Sequence, residues 1–329
     1  MIVMLILSMG ISVYLYFTAS RTQKECDLKL REAVDNIENV SVRILVEDEY
    51  KFIKPLAFVE FSKEDSLLTN LKDEILKYIE VQKNAGNISN ASAYLRNLNH
   101  FQDARINPSE VYFPGSLMKV PIMIGYLKES EKHPEILNKQ ITFSKPYSNL
   151  PFQNIKTRAI EVGKTYTVKQ LMEYMISNSD NNATALLSEN IEFGKLAHVF
   201  EDLQLPIPDQ SKPDYAITLK DYSRFFRVLF NASYLSWEKS EFALDLLTKT
   251  DYKNGIMKSI DKNLVVAHKF GERNTDGNQQ LHEIGIVYLK DSPYLIGVMT
   301  KGNDLKKMEP VISEISRIAY EGIKSGSTR

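Results

Sequence analysis

The run Phe113-Pro114-Gly115-Ser116-Leu117-Met118-Lys119, continued by Val120-Pro121-Ile122-Met123-Ile124-Gly125-Tyr126-Leu127, is the most informative stretch of this chain. Pro114 and Gly115 make a turn that opens a helix. Ser116 then falls in the first turn, and Lys119, three residues on, shares its face. The residues after Lys119 are almost wholly apolar, which predicts a buried helix. A serine hydroxyl is a weak nucleophile until a base takes its proton. A lysine amine can be that base when apolar surroundings lower its pKa. The N–H groups at the helix start also face charge that develops beside Ser116. The same spacing recurs at Ser236–Lys239 and Ser259–Lys262, in polar stretches that lead no buried helix. There a helix cap with a surface lysine is explanation enough.

Working outward, Ser179-Asp180-Asn181 lies between two helical patterns, in Met175-Ile176-Ser177-Asn178-Ser179-Asp180-Asn181-Asn182-Ala183-Thr184-Ala185-Leu186-Leu187. Asp180 or Asn181 would cap the second helix, and a loop pinned by helix ends presents a hydroxyl and an amide rigidly. His268-Lys269-Phe270-Gly271-Glu272 closes the strand-like run from Leu264. There Lys269 can attract a substrate carboxylate, and Gly271 lets a substrate backbone pass close to the strand. Taken singly, each stretch reads as a cap, a capping loop or an edge-strand lysine before a turn. Together they stand in a fixed order, each on the element its chemistry needs.

This trio resembles the signature of class A β-lactamases and penicillin-binding proteins. Met175–Leu187, Val266–Gly271, Ile284-Gly285-Ile286-Val287-Tyr288 and Val298-Met299-Thr300-Lys301-Gly302 extend the resemblance over roughly 66–329. It implies an antiparallel sheet flanked by helices with an inserted all-helical lobe, an α+β fold. It also implies a serine hydrolase forming an acyl-enzyme with β-lactams or D-Ala-D-Ala-type peptide amides. Ser116 would be acylated, and Lys119 would be base or proton relay. Ser179 would pass a proton to the leaving nitrogen, Asn181 would bind the substrate amide, and Lys269 would face the substrate carboxylate. The N–H groups of Ser116 and Glu272 would form the oxyanion hole. Two departures stand out. Phe270 occupies a position that is usually Thr or Ser, and the loop Glu201–Tyr215 lacks the Glu-x-x-Leu-Asn stretch whose glutamate activates the deacylating water. Asp209 and Asp214 are the carboxylates available there, and slow deacylation follows. The alternative is a catalytically retired, membrane-tethered binding module of the same fold.

The 329 residues are 43% hydrophobic and 25% charged, ordinary for a globular protein. Lys+Arg (41) and Asp+Glu (42) balance, so nothing points to nucleic acid. Cys26 is the single cysteine, and the five histidines show no ligand spacing. No disulfide, metal or other cofactor is expected. Residues 1–20 carry no charge, and Ile2 to Phe17 is almost wholly apolar. That predicts a membrane anchor or a signal segment, although Arg21, Lys24, Lys29 and Arg31 follow the segment instead of preceding it. Residues 21–65 read as a membrane-proximal spacer and 66–329 as the catalytic domain. An extracytoplasmic location follows, with a β-lactam or peptidoglycan-peptide substrate. Within 66–329, an early strand at Ser92–Leu98, a helical middle, strands at Leu264–Phe270, Glu283–Leu289 and Tyr294–Thr300, and a helix from Leu305 to Ile323 suggest a sheet covered by helices.

Overall fold

A short antiparallel pair, β1 (Ser41–Arg43) with β2 (Leu56–Val59), precedes the first helix. In this computed structural model, residues 41–43, 50–59, 66–148, 150, 153–155, 158–209, 211–212, 215–275 and 278–326 are described. The expected leader, 1–20, lies outside them, and among the described residues no helix is long and apolar enough to cross a membrane.

The apolar stripe Leu68, Leu71, Ile75 and Ile79 forms the buried side of α1 (Ser66–Asn84). Then come β3 (Asn90–Asn97), β4 (Asp103–Ile106), β5 (Val111–Tyr112) and a 3-10 turn at Gly115–Met118 that runs straight into α2 (Lys119–Ser130). Every residue from Lys119 to Leu127 is buried, as the apolar run predicts. β6 (Gln140–Thr142) pairs with β7 (Thr165–Thr167) across a long connection. The helices α3 (Val168–Ser177), α4 (Asn181–Glu189) and α5 (Phe193–Asp202) follow. β8 (Ile217–Thr218) pairs with β5, and α6 (Leu219–Phe230) and α7 (Trp237–Thr248) complete the helical lobe. The chain ends with β9 (Val266–Thr275), β10 (Asn278–Val287), β11 (Tyr294–Gly302) and α8 (Leu305–Gly326).

The main sheet has the order β4-β3-β11-β10-β9, antiparallel throughout, with β9 on an edge. One face packs against α1 and α8 through Ile75, Ile79, Ile312 and Ile315. The other face, with Ala267, Ile284 and Ile286, joins the core of the helical lobe. This is the expected α+β architecture of an antiparallel sheet, flanking helices and an inserted helical lobe.

Three local expectations are corrected. β9 does not end at Phe270 but runs on to Thr275, because β10 pairs with it as far as Asn278. Lys269 and Gly271 therefore sit in mid-strand, opposite Ile284 and His282. The last helix, expected to end at Ile323, continues to Gly326. The domain also begins before Ser66. The Glu241 carboxylate accepts the N–H groups of Lys51, Phe52 and Ile53 (2.6–3.1 Å), Lys54 N–H donates to Phe230 O (2.8 Å), and Ile53 is buried in the core. Residues 50–55 of the expected spacer thus belong to the same folded unit as the described residues from 66 on.

Candidate active site

Ser116 lies in the 3-10 turn, and the protein grips that turn from several sides. Phe113 N–H donates to Gln280 Oε1 (3.0 Å), and Tyr222 O–H donates to Leu117 O (2.7 Å). His282 is held neutral by burial, its pKa pushed down to about 4. Its Nε2 is 3.1 Å from Phe113 O, and a carbonyl can only accept, so Nε2 carries the proton. Gly115 adopts φ +54°, and a Cβ there would come within 2.2 Å of Glu272 O. Only glycine combines that backbone conformation with that approach.

Lys119, only 2% exposed, is surrounded by oxygen. Its Nζ is 2.6 Å from Ser179 O, 2.7 Å from Asn181 Oδ1, 2.8 Å from Ser116 Oγ and 3.0 Å from Ser179 Oγ. Burial drives its pKa down to about 7, against the opposing pull of the Asp180 and Glu272 carboxylates. A neutral amine has two N–H donors and one lone pair. Ser179 O and Asn181 Oδ1 can only accept, so they take both donors, and the lone pair is left for a hydroxyl proton. That is the arrangement a general base for Ser116 requires.

Ser179 sits at φ +53°, a left-handed conformation costly for a residue with a side chain. The surroundings enforce it. Asp180 caps α4 by accepting Asn182 N–H (2.8 Å), and its other oxygen accepts Ile160 N–H (2.7 Å). Of the two candidate caps, Asp180 is the one used. Asn181 is the first residue of α4, with its amide oxygen aimed at Lys119. The Ser179 hydroxyl bridges two amines, because Lys269 Nζ is 2.9 Å away on the other side.

Lys269 is fully buried. Its pKa lies well below the ordinary lysine value, first through desolvation and then through the nearby Lys119. Its other neighbours are Phe270 O (3.1 Å) and the Phe270 ring, 4.1 Å away at the centroid. That ring is itself buried against Tyr252, centroids 4.6 Å apart. Phe270 is therefore a packed core aromatic as well as a missing hydroxyl. Behind the strand, Thr250 O–H donates to His268 O (2.7 Å), and the buried Glu283 carboxylate meets His268 Nδ1 (2.6 Å) and Ile256 N–H (2.8 Å).

Gly271 serves a different approach from the one its sequence context implied. A Cβ there would lie 2.3 Å from Pro114 O and 3.0 Å from Leu117 N. The backbone that passes close to it is the protein's own Ser116 turn. In a strand, a residue's N–H and C=O point to the same side. Since Glu272 O faces Gly115, the Glu272 N–H also looks toward the Ser116 turn. The Glu272 side chain was not legible in the sequence as an anchor. Its carboxylate accepts Asn154 N–H (3.0 Å), Asn154 Nδ2–H (3.0 Å) and Ile155 N–H (3.2 Å).

The loop after α5 carries Asp209 among its described residues. Asp209 is exposed and turned into its own turn, accepting from Ser211 N–H (3.0 Å) and O–H (2.7 Å) and pairing with Lys212. Those partners hold its carboxyl below the usual range. Asp214 lies outside the described residues. The two rival Ser-x-x-Lys serines are engaged elsewhere: Ser236 caps α7, and Ser259 Oγ meets Ser313 Oγ at 2.6 Å. Among the described residues no cluster of histidine, cysteine or carboxylate side chains suits a metal ion.

A sheet edge, a helix-start serine and a buried lysine relay define the architecture of the serine penicillin-recognising hydrolases. The model of the β-lactamase enzyme family matches residues 70–323, and the chain belongs to that family. A β-lactamase of Bacteroides uniformis is 24% identical over 247 residues, 65% of this chain and 80% of that protein. Among solved structures, PBP-A superposes with TM-score 0.66 at 21% identity, over 80% of this chain and 99% of its own. A β-lactamase from Chitinophaga pinensis gives TM-score 0.66 at 18% identity, over 77% and 98%. These structural likenesses establish the fold.

Proposed function

We propose that the protein is a serine hydrolase that forms an acyl-enzyme on Ser116 with β-lactams or D-Ala-D-Ala-type peptide amides and releases it slowly. The observation that carries this reading is the Lys119 amine, 2.8 Å from Ser116 Oγ, with its two donors claimed by obligate acceptors. In the acylation step, Ser116 Oγ attacks the carbonyl carbon and its proton passes to Lys119. The new C–O bond forms, the C–N bond breaks, and the proton returns through Ser179 Oγ to the leaving nitrogen. The Ser116 and Glu272 N–H groups stabilise the oxyanion. Deacylation needs a water with a base beside it, and the loop 203–215 offers Asp209 in a solvent-facing turn. One structural neighbour, a PBP-A mutant, was solved as an acyl-enzyme complex with penicillin G, which fits the same chemistry here.

Pre-steady-state hydrolysis of a chromogenic β-lactam tests the proposal. A burst near one equivalent of enzyme, followed by a slow steady rate and abolished by Ser116→Ala, is expected. Fast linear turnover without a burst would remove the slow-release part, and an adduct that survives Ser116→Ala would remove the nucleophile. The apolar segment 1–20 and the cell-wall substrate class support an extracytoplasmic, membrane-anchored enzyme.

A further inference from the structure

Resting on the acyl-enzyme reading above, we propose that the leaving-group side of this cleft favours acyl donors without a free carboxylate, because Phe270 and Tyr252 pack over Lys269 and the Glu272 carboxylate already lies in the field of both lysines.

The argument begins with access. A carboxylate oxygen is about the size of a water molecule, and a cation can hold a carboxylate only through an open face. Lys269 is 0% exposed, so its amine is closed to solvent. The faces of the Lys269 amine are taken by Ser179 Oγ, by Phe270 O and by the Phe270 ring. The ring cannot swing aside cheaply, since Tyr252 lies against it at 4.6 Å and Tyr252 O–H is tied to Glu309 (3.2 Å). A substrate carboxylate would have to displace a packed aromatic pair to meet this lysine.

Charge points the same way. Lys119 and Lys269 both have depressed pKa values, which weakens the positive potential that would draw an anion. Glu272 sits on β9 where its own N–H faces the Ser116 turn, and its carboxylate acts on both lysines. A substrate carboxylate drawn to Lys269 would meet the like charge of Glu272, which already acts on that lysine. The nearest further cation on the strand, Arg273, has its guanidinium over the Phe113 ring at 5.8 Å. The cleft therefore suits neutral or cationic leaving groups, such as a carboxyl-amidated or esterified terminus.

The experiment compares benzylpenicillin with its methyl ester, following the mass adduct on Ser116 in the full chain. Each rate is divided by that compound's hydroxide-catalysed hydrolysis rate, so that intrinsic reactivity cancels. The ester is expected to acylate at least about tenfold faster than the acid, the size of one like-charge contact at the surface of a site. Glu272→Gln should narrow that ratio by raising the acid's rate more than the ester's. An acid that reacts as fast as the ester, or faster, overturns the inference while leaving the acyl-enzyme reading intact. Loss of that acid rate in Arg273→Ala would then identify the true carboxylate holder. If neither compound labels Ser116, the acyl-enzyme reading falls and the inference falls with it.

Discussion

Lys119 should set the pH dependence of acylation. Burial brings its pKa from 10.5 to about 7, even though Asp180 and Glu272 oppose the shift. In the proposed reaction the neutral amine is the base, so acylation of Ser116 should rise with pH through about 7 and level off above it. With an inflection there, about 90% of the amine is neutral at about pH 8 and about 1% at about pH 5. The rate should thus fall roughly tenfold per pH unit on the acid side. Lys119→Met keeps the length and apolar stem but removes the lone pair. General-base assistance is typically worth about 10²–10⁴-fold, and the loss should be of that order, with the pH dependence flattened. The assay is the rate of the Ser116 mass adduct against pH, with thermal melts to confirm that the variant folds. Linkage supplies a second readout. Between about 7 and 10.5 the unfolded chain holds a proton on this lysine that the folded chain has released. Stability should therefore rise with pH across that window. Lys269, whose pKa is also depressed, adds in the same direction. A pH limb inflecting near 10, or a wild-type rate in Lys119→Met, would refute the assignment.

Gly271→Ala should slow acylation and lower the melting temperature together, because its Cβ would meet Pro114 O at 2.3 Å and push the Ser116 turn; an unaffected rate would mean the turn can yield. Phe270→Thr exchanges a fully buried ring for a small polar group. A loss of about 3–5 kcal/mol is expected in chemical denaturation, and a neutral result would show that the Tyr252 contact is not packed as described. Export is tested with protease added to intact spheroplasts: digestion of the catalytic domain is expected, and full protection until lysis counts against an extracytoplasmic location.

Local chemistry made much of this protein legible. Ser116 and Lys119 announce themselves because a turn, a three-residue spacing and an apolar run are all written in contiguous residues. The closing strands and α8 follow from periodicity in the same way. The sequence by itself could place Ser179, Asn181 and Lys269 on suitable elements, in the right order. Tertiary structure alone decided that Ser179 Oγ stands between two lysines 150 residues apart in the chain, at 3.0 and 2.9 Å. It also decided that Gly271 makes room for Pro114, that Phe270 roofs Lys269, and that the Glu272 side chain anchors Asn154 and Ile155. The reason is physical. Spacing along a helix or strand fixes which neighbours share a face, but burial, pKa and reach depend on what another part of the chain brings to that face. The Lys119 amine meets Ser179 and Asn181, and neither is near it in sequence.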